Sequence, residues 1–129
     1  MYNINRQPIH NIKSIIYIAS KKGVEQDQYL NEYEIYDKPI KYRFNVQAIS
    51  EDSEIREFGE LSNDMKVISI TEKSKYINKF KDFDKVYVDT LPKNESKYGN
   101  NADYRIYSVR NQNTSIRIYL LKLVRAKEV

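Results

Sequence analysis

The last third of the chain, from Phe83 to Leu123, sets the tightest limit on what the chain can fold into. Three runs of β-branched and aromatic residues lie close together there. They are Val86-Tyr87-Val88, Tyr104-Arg105-Ile106-Tyr107-Ser108-Val109 and Ile116-Arg117-Ile118-Tyr119-Leu120-Leu121. Such residues suit a pleated, half-buried surface. Arg110-Asn111-Gln112-Asn113-Thr114-Ser115 joins the last two runs as a polar, Asn-containing link, so the pattern predicts a hairpin with a third strand before it. Alternation puts Ile116, Ile118 and Leu120 on one face, with Arg117 and Tyr119 on the other. Leu121 and Leu123 predict that the far end of this run is covered on both sides. The stretch reads as the sealing sheet of a small β domain and contains no catalytic signature.

The rest of the chain extends the same pattern. Ile12 to Ser20 contains Ile15-Ile16-Tyr17-Ile18 and predicts a strand, ended by Lys21-Lys22-Gly23. From Val24 to Tyr36 the first part reads as loop and the second as extended. Lys41 to Ile49 alternates, with Tyr42, Phe44, Val46 and Ala48 inward and Lys41, Arg43, Asn45 and Gln47 outward. Ser50-Glu51-Asp52-Ser53 is a turn or helix start, and Ile55 to Gly59 is a short element closed by Gly. Met65 to Thr71 predicts another strand, and Tyr76, Ile77 and Phe80 predict one or two helical turns. Asp82-Phe83-Asp84 turns into a strand over Lys85 to Thr90, and Pro92 to Asn101 is a loop of turn formers. The expected organisation is an arm over 1–11, a domain over 12–124 and a tail over 125–129. The expected fold is mainly β, a single-domain barrel or sandwich with long loops and at most one or two short helices. Closure would remove exposed edges.

Chemistry is sparse. The chain has no cysteine and one histidine, His10 in the polar arm, so thiolate nucleophiles, Ser-His-Asp arrangements and His-rich metal sites are excluded. Asp82, Asp84 and Asp89 lie at a turn–strand junction and read as structural. Asp27 with Glu25 and Glu32 lacks the spacing and the glycine of an EF-hand. Three glycines build no phosphate loop. The triplets Asn94-Glu95-Ser96 and Asn113-Thr114-Ser115 are chance matches in Asn-rich turns. These observations lead to the expectation of a non-enzyme without cofactor or metal. The N-terminus lacks an apolar signal core, and Ile15 to Ala19 is too short to span a bilayer, so a soluble protein made in a reducing cytoplasm is expected. The formal charge of +4 arises from interspersed charges, 22 basic and 18 acidic, which read as a solvated mixed surface. The aromatic residues are 12 Tyr and 4 Phe, and Tyr suits surfaces half covered by a partner. Tyr42, Tyr87, Tyr104 and Tyr107, with Arg105, also suggest a base-stacking platform of the OB type. Packing of these rings across a sheet is the simpler reading.

Three ordered segments resemble one family. They are Asn45-Val46-Gln47-Ala48-Ile49-Ser50 with Glu57-Phe58-Gly59-Glu60, then Phe83-Asp84-Lys85-Val86-Tyr87-Val88-Asp89, then Asn101-Ala102-Asp103-Tyr104-Arg105-Ile106 with Ile116-Arg117-Ile118-Tyr119-Leu120. Together, over about residues 12 to 124, they resemble the head–tail connector proteins of tailed bacteriophages, with Phe83 where a Gly is more usual. The resemblance implies a small β-barrel of the head-closure (stopper) or adaptor type. It implies a homo-oligomeric ring, a dodecamer, in the virion neck, with no membrane association. The implied partners are a portal or adaptor protein, a tail terminator or tail tube, and packaged double-stranded DNA in the lumen. A cyclic ring needs two different patches that meet around the circle. The candidate contact residues are Tyr29 and Tyr33, together with Lys93, Asn94, Lys97, Tyr98, Asn100 and Asn101 of the polar loop. The alternatives are an OB-like single-strand binding module and a tail or baseplate structural protein.

Overall fold

A computed structural model of the chain describes residues 13–93 and 101–123. Six antiparallel strands close into a barrel: β1 (Ser14–Ala19), β4 (Ile40–Ala48), β5 (Met65–Ile70), β8 (Ile116–Lys122), β7 (Tyr104–Asn111) and β6 (Lys85–Tyr87), with β6 returning to β1. Strands β2 (Lys21–Gln26) and β3 (Glu32–Tyr36) form a separate two-stranded sheet outside it. Two short helices, α1 (Asp52–Phe58) and α2 (Lys73–Tyr76), complete the regular structure of the described residues, with a 3-10 segment over Gly59–Asp64. The expected small mainly-β domain with a closed sheet is therefore the observed one.

The alternation read in the sequence is what fills the barrel. Ile116, Ile118 and Leu120 of β8 meet Ile68 and Ile70 of β5, Ile106 of β7, Val86 of β6, and Ile16 and Ile18 of β1 in one apolar cluster. Phe44 is buried in it, and Tyr42 and Val46 pack at its margin. Helix α2 and the turn after it bring Tyr76 and Phe80 onto Tyr42 and Phe44, with ring centroids 5.1 to 6.2 Å apart. Such offset and edge contacts add to the area that the rings bury.

A second layer covers part of the outer wall, as the doubly apolar end of β8 implied. Met65, Val67 and Tyr119 are buried there beneath Phe58, Tyr107 and Leu121. Gly59 stops α1 at φ 58°, a left-handed conformation in which a Cβ is strained, and the chain turns into the 3-10 segment. On β7 the register shifts between Ile106 and Ser108, a bulge that inserts Tyr107.

Several expectations are corrected. Lys21-Lys22-Gly23 does not end the strand pattern; it opens β2 after a one-residue break at Ser20. The loop expected from Val24 is strand and turn, because β2 and β3 satisfy each other's backbone groups. β6 stops at Tyr87 instead of Thr90, since the N–H groups of Val88 and Asp89 donate to the Asp103 carboxylate at 2.9 and 2.8 Å. At the end of β4, Ala48 is exposed, and Asn45 on the opposite face is buried. The expected arm and tail lie outside the described residues, as does the stretch 94–100 of the expected loop.

Candidate functional site

The β2–β3 hairpin is the feature that departs most from a plain barrel. Its root is fastened at several points. Tyr36 is buried against Ala19, Tyr87 and Ala102, the Asp37 N–H donates to the Ser20 carbonyl at 2.8 Å, and the Lys21 N–H donates to Asp84 at 2.9 Å. The Tyr36 hydroxyl donates to Glu34, which also lies 3.4 Å from the Lys21 ammonium. The Tyr36 donor, with the nearby Lys21 charge, holds the Glu34 carboxyl below the usual carboxylate range. Burial, with Glu34 alongside, pushes the Tyr36 phenol up.

The tip is ordered by Asp27. Its carboxylate accepts the N–H groups of Tyr29 and Asn31 at 2.8 and 2.9 Å, and its carbonyl accepts the Leu30 N–H at 3.0 Å. Leu30 sits at φ 65°, a left-handed conformation that carries a penalty of roughly 1–2 kcal/mol for a side chain with a Cβ. A fixed turn therefore holds two large apolar side chains in solvent, Tyr29 at 76% exposure and Leu30 at 75%. From Gly23 to Tyr36 the charged residues are Glu25, Asp27, Glu32 and Glu34, with no lysine or arginine. The projection is acidic with an apolar end.

At the other end of β1 the barrel wall opens. Pairing of β1 with β6 runs from Ala19–Lys85 to Tyr17–Tyr87 and stops where Asp103 draws Val88 and Asp89 away. This leaves a groove of about 290 Å³ lined by Ile15, Tyr17, Lys41, Tyr87, Val88, Asp89, Thr90 and Leu91. Ile15 is 48% exposed and Leu91 72%. The register pairs Ile15 with Arg43 and Tyr17 with Lys41 on this outward face. Lys41 and Arg43 are exposed and form no ion pair with another described residue. The groove is apolar with a basic flank, and Asp89 stands on its far wall.

A third polar cluster is structural. The Arg117 guanidinium donates from Nε and Nη2 to the two Glu54 oxygens, at 2.8 Å each, and from Nη1 to Ser69 Oγ at 3.2 Å. The Tyr119 hydroxyl also donates to Glu54. Arg117, then Tyr119, hold the Glu54 carboxyl below its usual range, and Glu54 raises Arg117. Arg110 forms a second forked pair with Glu57. These pairs clamp α1 to the barrel wall.

Of the residues singled out in the sequence, Tyr29 stands at the tip and Tyr33 is half-buried on β3. Lys93 is exposed. Asn101 is buried, donating its side-chain amide to the Leu91 carbonyl at 2.9 Å, so it anchors the loop instead of offering a contact surface. Asn94, Lys97, Tyr98 and Asn100 lie outside the described residues. Of the four tyrosines considered as a stacking platform, Tyr87 and Tyr104 are buried, at 2% and 5% exposure, and Tyr42 and Tyr107 pack against the two clusters. Leu30 and the groove were missed. The Asp27-x-Tyr-Leu-Asn tip carried a turn signal, and the groove arises only from tertiary pairing.

Fold and surfaces together define a small closed-barrel protein with a projecting acidic hairpin and a basic apolar groove. No protein-family model matches the chain, and no curated protein matches it. Among solved structures it is similar to the solution structure of protein SF1141 from Shigella flexneri 2a, with a TM-score of 0.59 and 17% identity over 90% of this chain and 96% of that one. At that identity the likeness establishes the fold.

Proposed function

We propose that the chain is a structural subunit of a tailed-phage head–tail connector, of the head-closure or adaptor type, which assembles into a ring around a DNA channel. The observation that carries this reading is the division of the molecule into a closed barrel and a fastened two-stranded arm ending in exposed Tyr29 and Leu30. A closed barrel offers no edge strand for indiscriminate pairing. Subunits of this shape join through what projects and what receives. A cyclic ring needs two unlike patches on each subunit. The hairpin and the groove are unlike patches, at opposite ends of β1. The sequence resemblance supports the same reading, because its segments coincide with the end of β4, the end of α1, the turn into β6 and the pair β7 and β8. The residue at the position where the family more usually has Gly, Phe83, has φ 74° in this chain, a conformation that favours Gly.

The test is imaging of the full chain, alone and on portal rings encoded by the same genome. A ring of subunits seated on the portal is the expected result. A chain that stays monomeric on the portal, yet binds oligonucleotides at submicromolar concentration with a steep salt dependence, would establish the single-strand binding alternative instead.

A further inference from the structure

We propose that the hairpin tip of one subunit seats in the β1–β6 groove of the next copy, with Tyr29 and Leu30 over Ile15, Tyr17 and Leu91, and Glu32 against Lys41 and Arg43. This pairing rests on the ring reading and names the two patches that the ring requires. Among the described residues nothing fills either surface, since Tyr29, Leu30, Ile15 and Leu91 stay 48–76% exposed. The charges are complementary. Glu32 pairs with Gln26 and shares its face of the hairpin with Glu34, while Glu25 faces the other side. Glu32 forms no ion pair with another described residue, and the same holds for Lys41 and Arg43, which share one face of β4. Among the described residues lining the groove, Asp89 is the one acidic group, across from the basic flank. The Asp27 turn pre-orders the tip, so little conformational freedom is lost on docking. Tyr is also favoured at the centres of interfaces. Because the hairpin leaves β1 at Ala19 and the groove opens near Ile15, the contact is heterologous and repeats from copy to copy.

The chain has no cysteine, which makes disulfide trapping unambiguous. The full-length variant carrying Tyr29→Cys and Leu91→Cys is oxidised over a concentration series, alongside each single variant and native mass spectrometry of the unmodified chain. A bond forms only where the two Cα atoms come within about 7 Å. The expected result is a ladder of linked subunits that ends in one closed species, with no such ladder from either single variant. A ladder that grows without closing would keep the pairing and remove the ring. A closed ring by mass spectrometry without the Tyr29–Leu91 link would remove the pairing and keep the ring. A link formed within one monomer, or a chain that neither associates nor links up to its solubility limit, would overturn the pairing. In a second arm, reversing Glu32 to Lys, or Lys41 and Arg43 to Glu, lowers self-association by about tenfold or more, and combining the reversals restores it to within about threefold. Loss without restoration, in variants that fold normally by circular dichroism, also overturns it.

Discussion

Glu54→Ala should be among the most damaging single changes outside the apolar core. Glu54 is 5% exposed and is held by both donors of the Arg117 fork and by the Tyr119 hydroxyl. Removing one partner of a buried pair usually costs about 3–5 kcal/mol, mostly because the remaining charge is left buried and unpaired. Here Arg117 retains Ser69 Oγ at 3.2 Å and the more exposed Glu51 at 3.6 Å, and its own side chain is 19% exposed. The loss therefore belongs near the lower end, about 3 kcal/mol, or roughly 10 °C in melting temperature for a domain of this size. Replacing both charges at once, as Glu54→Leu with Arg117→Met, should recover most of it, to within about 1 kcal/mol of the parent. The assay is urea unfolding of the parent, Glu54→Leu, Arg117→Met and the double variant, with a coupling energy of at least about 2 kcal/mol expected. The sign of the pH dependence follows from the carboxyl being held below its usual range. Its contribution is complete above the unfolded value and is lost as pH falls through the lower folded value. The stability gap between the parent and Glu54→Gln should thus be full at pH 7 and narrow below about pH 4.3. A single-variant loss under about 1 kcal/mol, or a gap that widens in acid, would refute the view of this cluster as the clamp on α1.

Three further changes test the rest of the framework. Ile118→Ala, at a fully buried position of β8, should cost about 2–5 kcal/mol by chemical denaturation, and Phe44→Ala about 3–5; no loss from either would mean that the core face is misassigned. Asp84→Asn keeps only one acceptor for the N–H groups of Lys21 and Lys81 and should cost about 1–3 kcal/mol. Burial raises the Asp84 carboxyl, so the acid's own contribution is complete below the unfolded value and falls as pH rises through the folded one. The measured loss should therefore be smaller at pH 7 than below about pH 3.9. Phe83 sits at φ 74° with its half-exposed ring between the Lys21 ammonium at 5.7 Å and the Arg105 guanidinium at 5.0 Å. Phe83→Gly relieves the backbone and loses the ring contacts, while Phe83→Val loses both advantages, so the Gly variant should be the more stable by about 1 kcal/mol or more. Equal stability would show that the backbone there carries no strain.

The barrel was legible because burying a single face imposes a two-residue period on the sequence. Lys41 to Ile49 and Ile116 to Leu120 show that period, and apart from Ala48 at the end of β4 their alternating apolar positions fill the interior or pack at its margin. The same logic fails for β2 and β3. That hairpin has no core of its own, its strands are polar on both faces, and its order comes from backbone pairing and from Asp27, neither of which leaves an apolar rhythm. Lys21-Lys22-Gly23 consequently read as the end of a strand when it begins another.

The outer layer was legible only in part, for a related reason. Alternation assigned Arg117 and Tyr119 to the face away from the interior, which is correct, but periodicity does not reveal what covers that face. The covering helix supplies Glu54, 63 residues from Arg117, and no local pattern links two positions that far apart. Asn101 illustrates the reverse problem. An Asn in a run of turn formers reads as an exposed contact, yet the side-chain amide that suits it to turns also lets it anchor the Leu91 carbonyl from within. Asp103 uses the same chemistry to end β6 by drawing away two N–H groups that would have extended the β1–β6 ladder. The groove exists because those donors are satisfied by a carboxylate instead of by β1. Its position is thus fixed by a residue 14 to 15 positions away in sequence, and a reading of strands alone could not have found it.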